Sequence, residues 1–148
     1  MEYGLYGEQY VLRLDEGEEA VATIREFLTE HGILAGYFVA WGGFSRLRLE
    51  YFSPGQRAFK EWLLDRQVEV ASLLGNIACQ EGRPVIHAHL TVGDEDFRTY
   101  SGHLAEGTVR PMLEVFVVPL PGELRRVRDP VRNLFVLAPV GEPVRTTG

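Results

Sequence analysis

After residue 33 the sequence is a succession of short β-type runs separated by turn-forming residues, and this pattern constrains the fold more than any other feature. The predicted strands are 33–41, 44–52, 56–65, 68–78, 85–93, 97–105, 108–120 and 133–137. Within this pattern, Gly42-Gly43 indicates a turn or a close approach to the backbone, and Gly75 indicates a bulge. Strands joined by such short connections predict an antiparallel sheet.

One helix is predicted near the start of the chain, after a further strand at 8–14. Apolar residues recur at helical spacing between residues 17 and 31: Val21, Ile24, Phe27 and Leu28. Asp15 and Glu18 resemble a capping box before this stripe, and Gly32 follows it as a C-terminal signal. One helix and many strands predict an α+β domain in which a mainly antiparallel sheet packs with one or two helices.

The composition is that of one folded domain. The 148 residues, 45% hydrophobic and 24% charged, can form a substantial core, and we interpret 1–148 as one domain with a flexible tail at 141–148. Cys79 is the single cysteine, which excludes an intramolecular disulfide and a cysteine-rich zinc site. The N-terminus lacks the features of a signal peptide, and no apolar run approaches the roughly 18 residues of a membrane span. We therefore expect a cytoplasmic protein without membrane partners.

The charge distribution does not favour nucleic-acid binding. The formal net charge is -6, so phosphate backbones would be repelled unless the cations were concentrated on one face. The densest basic stretch contains Arg125, Arg126, Arg128 and Arg132. Glu123 and Asp129 dilute this stretch, and a solvated or subunit-contacting face is its simplest interpretation.

Three of the four histidines fall within the twenty residues 85–104. His87 and His89 point to the same face of their strand because side chains alternate. A three-residue turn at 94–96 would place His87 opposite His103 and His89 opposite Ser101, so that all three imidazoles converge on one face. This convergence requires a turn of odd length, since a two- or four-residue turn would move His103 to the other face.

Three imidazoles on one face predict a metal site. Three protein nitrogens with a fourth position for water or a ligand are typical of zinc, with nickel, copper or iron as alternatives. Metal binding requires neutral imidazoles, so the affinity should fall at acid pH.

Four stretches resemble one family when taken in order. They are EVASLLGNIA (69–78), PVIHAHLTVGDED (84–96), SGHLAEGTV (101–109) and LEV (113–115), and together they resemble the plant- and prokaryote-conserved (PPC) domain. The resemblance implies an α+β domain that assembles as a homotrimer. Plant members carry AT-hook DNA-binding segments, and stand-alone prokaryotic members are described as predicted DNA-binding proteins. The family's His-x-His and Gly-Gly-His motifs match His87, His89 and His103, its candidate metal ligands, although Ser101 replaces the first glycine and the sequence contains no AT-hook.

Three other residues are candidates for polar contacts with the imidazoles or with a bound ligand: Asn76, Ser101 and Glu114. Glu114 would be the general base if the site were a zinc enzyme. A cupin is the rival fold, but its second motif is missing because no histidine follows position 103. We expect a trimeric metal- or ligand-binding module with a regulatory rather than a catalytic role, and a DNA-associated regulator is the alternative.

Overall fold

The computed structural model describes residues 1–138, which form nine strands and one helix. The strands are β1 (Glu2–Tyr6), β2 (Gln9–Asp15), β3 (Gly36–Ser53), β4 (Ala58–Leu64), β5 (Val68–Gln80), β6 (Arg83–Gly93), β7 (Thr99–Pro119), β8 (Arg125–Asp129) and β9 (Leu134–Ala138). The helix α1 spans Ala20–Glu30. The predicted tail at 141–148 lies outside the described residues.

The nine strands belong to one sheet with the order β1-β2-β7-β3-β5-β8-β9, while β4 pairs with β3. Strand β6 pairs with both β5 and β7, and β3 pairs with the same two strands, so these four strands close on themselves. All pairings between strands are antiparallel except one parallel bridge between β5 and β8. The α+β class with a mainly antiparallel sheet and one helix is therefore confirmed.

The predicted break at Gly42-Gly43 is wrong as a turn, because 33–41 and 44–52 belong to the single strand β3. The register between β3 and β5 shifts across Ala40 and Gly43, which marks a bulge rather than a reversal of the chain. Gly42 has φ +139, and a Cβ there would lie 2.2 Å from the carbonyl oxygen of Met112. The glycine pair thus allows β7 to approach the backbone closely, which was the alternative interpretation of Gly42-Gly43 in the sequence. Strand β7 likewise joins two predicted strands into one.

The bulge predicted at Gly75 is also wrong, because the irregularity in β5 lies between Val70 and Ser72. A Cβ at Gly75 would lie 2.3 Å from ring carbons of Phe38, whose side chain is fully buried. Gly75 therefore makes room for an aromatic ring of the core and leaves the strand regular at that point.

Helix α1 begins three residues later than predicted. The Glu18 carboxylate accepts the Asp15 N–H at 2.6 Å, so these residues form a turn before the helix. Glu19 is the N-cap, and its carboxylate accepts from the N–H groups of Val21 and Ala22. It also accepts the Gly107 N–H at 2.8 Å, which ties the start of the helix to β7. Helix capping thus depends on a strand far away in sequence.

The core lies between α1 and one face of the sheet. From the helix, Ala20, Ile24, Phe27 and Leu28 are buried in the same cluster as inward residues of β2, β3, β5, β6 and β7. No helix in residues 1–138 is long and apolar enough to cross a membrane. A cytoplasmic location stays a prediction.

Candidate metal centre

Strand β6 alternates between the core and the opposite, open face of the sheet. Ala88 and Leu90 are 2% and 3% exposed and belong to the core. His87 and His89 stand on the other side, because successive side chains of a strand point in opposite directions. The apolar residues between the histidines therefore anchor the strand and aim both imidazoles away from the core.

The turn between β6 and β7 differs from the predicted turn by one residue. The Asp94 N–H donates to the carbonyl oxygen of Arg98, so the loop comprises residues 95–97 instead of 94–96. The Asp94 carboxylate accepts the N–H groups of Asp96 and Arg98, at 3.0 and 2.9 Å, and the Tyr100 hydroxyl at 2.9 Å. Phe97 adopts φ +60, a conformation in which glycine is common. Asp94 therefore serves as the anchor of the turn.

This shift changes the partners of the histidines but keeps them on one face. The observed pairs are His89 with His103, Thr91 with Ser101 and Gly93 with Thr99. The predicted pairs, His87 with His103 and His89 with Ser101, are wrong by two residues. The loop still has an odd length, so no side chain changes face.

The three imidazoles form a compact cluster. One ring nitrogen from each of His87, His89 and His103 lies within 4.8 Å of the others. The Nε2 atoms of His87 and His89 are 3.3 Å apart. The ring centroids are 5.1 to 5.4 Å apart in all three pairs, and the rings are tilted or edge-on to one another rather than stacked. The nitrogens are thus close enough to share one ion.

The cluster forms part of the wall of an open cavity of about 920 Å³. The wall is largely apolar, and its ring side chains and aliphatic residues include Tyr51, Phe52, Phe59, Ile86, Leu134 and Phe135. Leu134 and Phe135 are the first two residues of β9, so the β8–β9 hairpin supplies part of this wall. A mostly apolar cavity with a few converging polar groups is the usual form of a ligand site.

Burial and neighbouring positive charge favour the neutral form of the imidazoles. Burial, then Arg126, then the other two histidines lower the pKa of His87 to about 4. Burial, His89 and Arg126 also lower the pKa of His103. Both rings are therefore uncharged near pH 7, as metal ligation requires.

Arg126, which the sequence analysis named only as part of the arginine-rich stretch, is a member of the histidine site. Its guanidinium lines the cavity, donating from Nη2 to Asn76 Oδ1 at 2.9 Å and from Nη1 to the carbonyl oxygen of Phe135 at 3.1 Å. Asn76 is the direct partner of His87 across β5 and β6. Arg126 therefore connects the β8–β9 hairpin to the strand beside the histidines.

Glu50 is a member of the site that the sequence analysis missed. It pairs directly with His103 across β3 and β7, lines the cavity and forms an ion pair with Arg48 at 2.9 Å. Three register shifts separate the start of β3 from Glu50, so the partner of His103 could not be counted from the turns. No local sequence signal identifies this carboxylate.

The three residues predicted to make polar contacts lie in different places. Asn76 lies next to Arg126 and beside His87, as described above. Ser101 lines the cavity, but its hydroxyl lies 2.7 Å from that of Thr91 rather than opposite His89. Glu114 pairs with Arg13 and Trp41 in the distal half of β7, is exposed and does not line the cavity. The structure therefore does not place Glu114 with the histidines.

The arginine-rich stretch does not form a uniform basic surface. Arg125 pairs with Glu123 at 2.8 Å, and Arg132 pairs with Asp129. Arg128 donates to the side chain of Asn133, while Arg126 faces the cavity. Nearby acids thus neutralise two of the four cations.

Comparison with solved structures identifies close structural relatives. A protein from Bacteroides thetaiotaomicron, described provisionally as DNA-binding, has a TM-score of 0.90 and 27% identity, covering 93% of this chain and 96% of that one. A metal-containing protein from Archaeoglobus fulgidus has a TM-score of 0.84 and 33% identity, covering 93% and 97%. A PPC protein from Pyrococcus horikoshii has a TM-score of 0.85 and 29% identity, covering 95% and 96%.

Comparison of sequences gives one family. The bifunctional protein GlmU of Synechococcus sp. (strain JA-3-3Ab) is 30% identical over 99 residues, which are 66% of this chain and 15% of that protein. The chain thus spans a small fraction of this relative's length. The sequence profile of the Plants and Prokaryotes Conserved (PCC) domain matches residues 1–121, including all three clustered histidines. The chain is therefore a member of the Plants and Prokaryotes Conserved domain family, known also as the PPC domain.

Proposed function

We propose that this protein is a metal-dependent ligand-binding domain with a regulatory rather than a catalytic role. His87, His89 and His103 hold one divalent transition metal, with zinc the first choice, and the adjoining cavity receives the ligand. The observation that carries this proposal is the convergence of three imidazole nitrogens within 4.8 Å at the wall of an apolar cavity.

The donor geometry fits a tetrahedral ion. With zinc–nitrogen distances of about 2.0–2.1 Å, two ligands of a tetrahedral site lie about 3.3–3.4 Å apart. The Nε2 atoms of His87 and His89 are 3.3 Å apart, and a ring nitrogen of His103 lies within 4.8 Å of the other two donors. The relative from Archaeoglobus fulgidus, 33% identical over nearly the whole chain, is described as metal-containing, which supports the binding of a metal here.

A regulatory role is favoured over catalysis by the surroundings of the metal site. Glu50 is the one carboxylate among the described residues that line the cavity, and Arg48 holds it in an ion pair. The described cavity wall therefore offers no carboxylate outside an ion pair to take a proton from a metal-bound water. A ligand that fills the cavity would instead be bound and released unchanged.

Metal analysis of protein purified without a histidine tag tests this proposal. We expect one equivalent of zinc or another divalent transition metal per chain, and loss of most of it in His87→Ala. The matched control is His31→Ala, which removes an imidazole at the C-terminal end of α1, far from the cluster in sequence. Wild-type protein that stays metal-free after incubation with zinc, nickel and cobalt would refute the proposal.

We further propose that the domain assembles as a homotrimer through its open sheet face. Tyr37, Trp41, Leu74 and Phe116 lie on this face and are 39% to 58% exposed. Leu74 pairs with His89, so the apolar face continues into the cavity wall. An apolar patch of this kind is typical of an interface between subunits, and three copies can bury it by closing a ring.

Sedimentation velocity tests the assembly. We expect a species of three times the 16.7 kDa chain mass, and dissociation in Trp41→Glu, which places a charge within the patch. Tyr6→Glu changes another exposed aromatic residue, in the edge strand β1, and is expected to leave the assembly intact. A monomeric wild-type protein at micromolar concentration would contradict the trimer.

DNA binding is the second candidate, and the description given to the relative from Bacteroides thetaiotaomicron favours it. The net charge of -6 and the internal pairing of the arginine-rich stretch argue against direct contact with a duplex. Gel-shift assays at low salt on unrelated duplexes decide between the two candidates. We expect no retardation, whereas salt-dependent retardation lost in Arg125→Ala together with Arg128→Ala would establish DNA binding.

A further inference from the structure

Arg126 is a partly buried cation that has no counter-ion among residues 1–138. Twelve ion pairs join described residues of this chain, and none of them includes Arg126. Its two hydrogen bonds go to neutral oxygens, those of Asn76 and Phe135. Its Nε is the one buried side-chain nitrogen or oxygen of the described residues that has no partner.

This arrangement is unfavourable in the protein alone. A guanidinium withdrawn from water loses solvation, and neutral acceptors restore only part of it. Burial accordingly lowers the pKa of Arg126, and no carboxylate of residues 1–138 acts in the opposite direction. The other arginines of the same hairpin have a carboxylate or an amide oxygen within hydrogen-bonding distance and are exposed. Among the arginines of this hairpin within the described residues, Arg126 alone is both withdrawn from water and without a carboxylate partner.

The cavity has a net positive wall once a metal is bound. A divalent ion on the three histidines adds two positive charges to that of Arg126, while Glu50 is already paired with Arg48. Nitrogen ligands from neutral imidazoles contribute no negative charge. An anion could therefore bind both the remaining coordination position of the metal and the free N–H groups of Arg126.

The surroundings favour a carboxylate over a phosphate. Phosphate groups are usually held by several cations or by a helix N-terminus, and the described cavity wall offers one arginine and residues from strands and turns. A carboxylate needs only two parallel N–H groups or one N–H group and a metal. The apolar wall, with Phe52, Phe59 and Phe135, suits an aromatic or aliphatic body.

We propose that the ligand of this cavity is a small organic acid with an apolar body, whose carboxylate lies between the histidine-bound metal and the guanidinium of Arg126. This inference rests on the metal site proposed above and specifies the ligand class of that site. Arg126 is the residue that selects an anion, and the aromatic wall holds the rest of the molecule.

Calorimetric titration of zinc-loaded protein with 3-phenylpropionate, and separately with the neutral 3-phenylpropionamide, tests the proposal. We expect the acid to bind at least about ten times more tightly than the amide, because a charge-assisted hydrogen bond is worth about 1.5–3 kcal/mol. Arg126→Met should remove this preference. Arg128→Met is the control, since Arg128 lies on the same hairpin and is exposed. Equal affinities for acid and amide, absence of acid binding at millimolar concentration, or stronger competition by inorganic phosphate would each overturn the inference.

Two additional readouts separate this inference from the metal proposal. Cobalt-substituted wild-type protein should change its visible absorption when the acid is added but not when the amide is added, and this test needs no variant. If the wild-type protein binds no metal, the proposed function fails, and the titration without metal still shows whether Arg126 selects the acid. If metal binds and the acid leaves both spectrum and affinity unaffected, the inference fails while the metal site stands.

Discussion

Two polar groups of this protein are withdrawn from water, and their surroundings are opposite. The Asp94 side chain, 1% exposed, accepts three hydrogen bonds from its own turn and faces Arg66 at 3.3 Å. Arg126 donates to two neutral oxygens, leaves its buried Nε–H without a partner and has no counter-ion among the described residues. Asp94 is satisfied by its own turn and by Arg66, whereas no described residue supplies a negative charge to Arg126. This contrast distinguishes a structural polar group from a functional one.

The pKa directions reflect the same contrast. Burial acts to raise the pKa of Asp94, but the hydrogen bonds from Tyr100, Arg98 and Asp96 outweigh it and lower the pKa. At Arg126 burial acts without opposition. A buried polar group whose lost solvation is offset by hydrogen bonds within the protein contributes to stability. A group whose lost solvation is not offset is available to bind a ligand.

The largest effect that we expect is stabilisation of the folded protein by a metal bound at the histidine site, beside Arg126. Zinc at one hundred times its dissociation constant should raise the free energy of unfolding by about 2.7 kcal/mol, because it binds the folded state alone. Thermal or urea unfolding with and without zinc measures this gain. His87→Ala should show little of it, and an equal gain in His87→Ala and wild type would place the metal elsewhere.

Asp94→Ala should have the next largest effect, and this effect should be a loss of folding stability. It removes the acceptor of three hydrogen bonds and leaves the Tyr100 hydroxyl and two backbone N–H groups without their partner. We expect the melting temperature to fall by about 5 °C or more. Glu95→Ala, at the exposed tip of the same turn, is the control and should change it little. A variant as stable as wild type would mean that the turn is held by its backbone alone.

Acid pH should weaken the metal-free protein through the histidines. The pKa of His87 is about 4 in the folded state against 6.5 for the free side chain, so between these values the unfolded chain binds more protons. The free energy of unfolding should therefore decrease as the pH falls from about 6.5 to about 4, with no contribution from His87 above that window. Urea unfolding at several pH values, compared between wild type and His87→Ala, measures the effect. An identical pH dependence in the two proteins would show that the imidazole is not buried as described.

The smallest effect should come from Arg126→Met in the absence of ligand. The variant loses two hydrogen bonds but also removes a partly buried charge that has no counter-ion among the described residues, and these two effects on stability oppose each other. We expect the free energy of unfolding to change by less than about 1 kcal/mol, measured by urea unfolding of the metal-free protein. A large loss of stability would show that Arg126 stabilises the fold, as Asp94 does, and would contradict the distinction drawn between the two residues.

The sequence predicted the parts of the fold that depend on neighbours in the chain. Short β-type runs, the helix near the start and the shared face of His87 and His89 follow from local spacing and are confirmed. The errors lie where local signals are ambiguous. Gly42-Gly43 fits a turn as well as a bulge, and the turn after β6 shifted by one residue because Phe97 occupies a position where glycine would have been recognised.

The sequence by itself therefore determined the α+β class, the family and the shared face of His87 and His89, because strand alternation and motif order depend on residues close in the chain. The structure decided that His103 joins that face, since the sequence permits a loop of odd length without fixing it. Only the tertiary structure decided that Glu50 pairs with His103, that Glu114 lies elsewhere, and that Arg126 joins the site from a distant hairpin. The positions of these three residues depend on pairing between strands, and the register of that pairing is set by bulges and by packing around Phe38 and Gly42. Such close contacts between distant segments leave no trace in the spacing of residues along the chain.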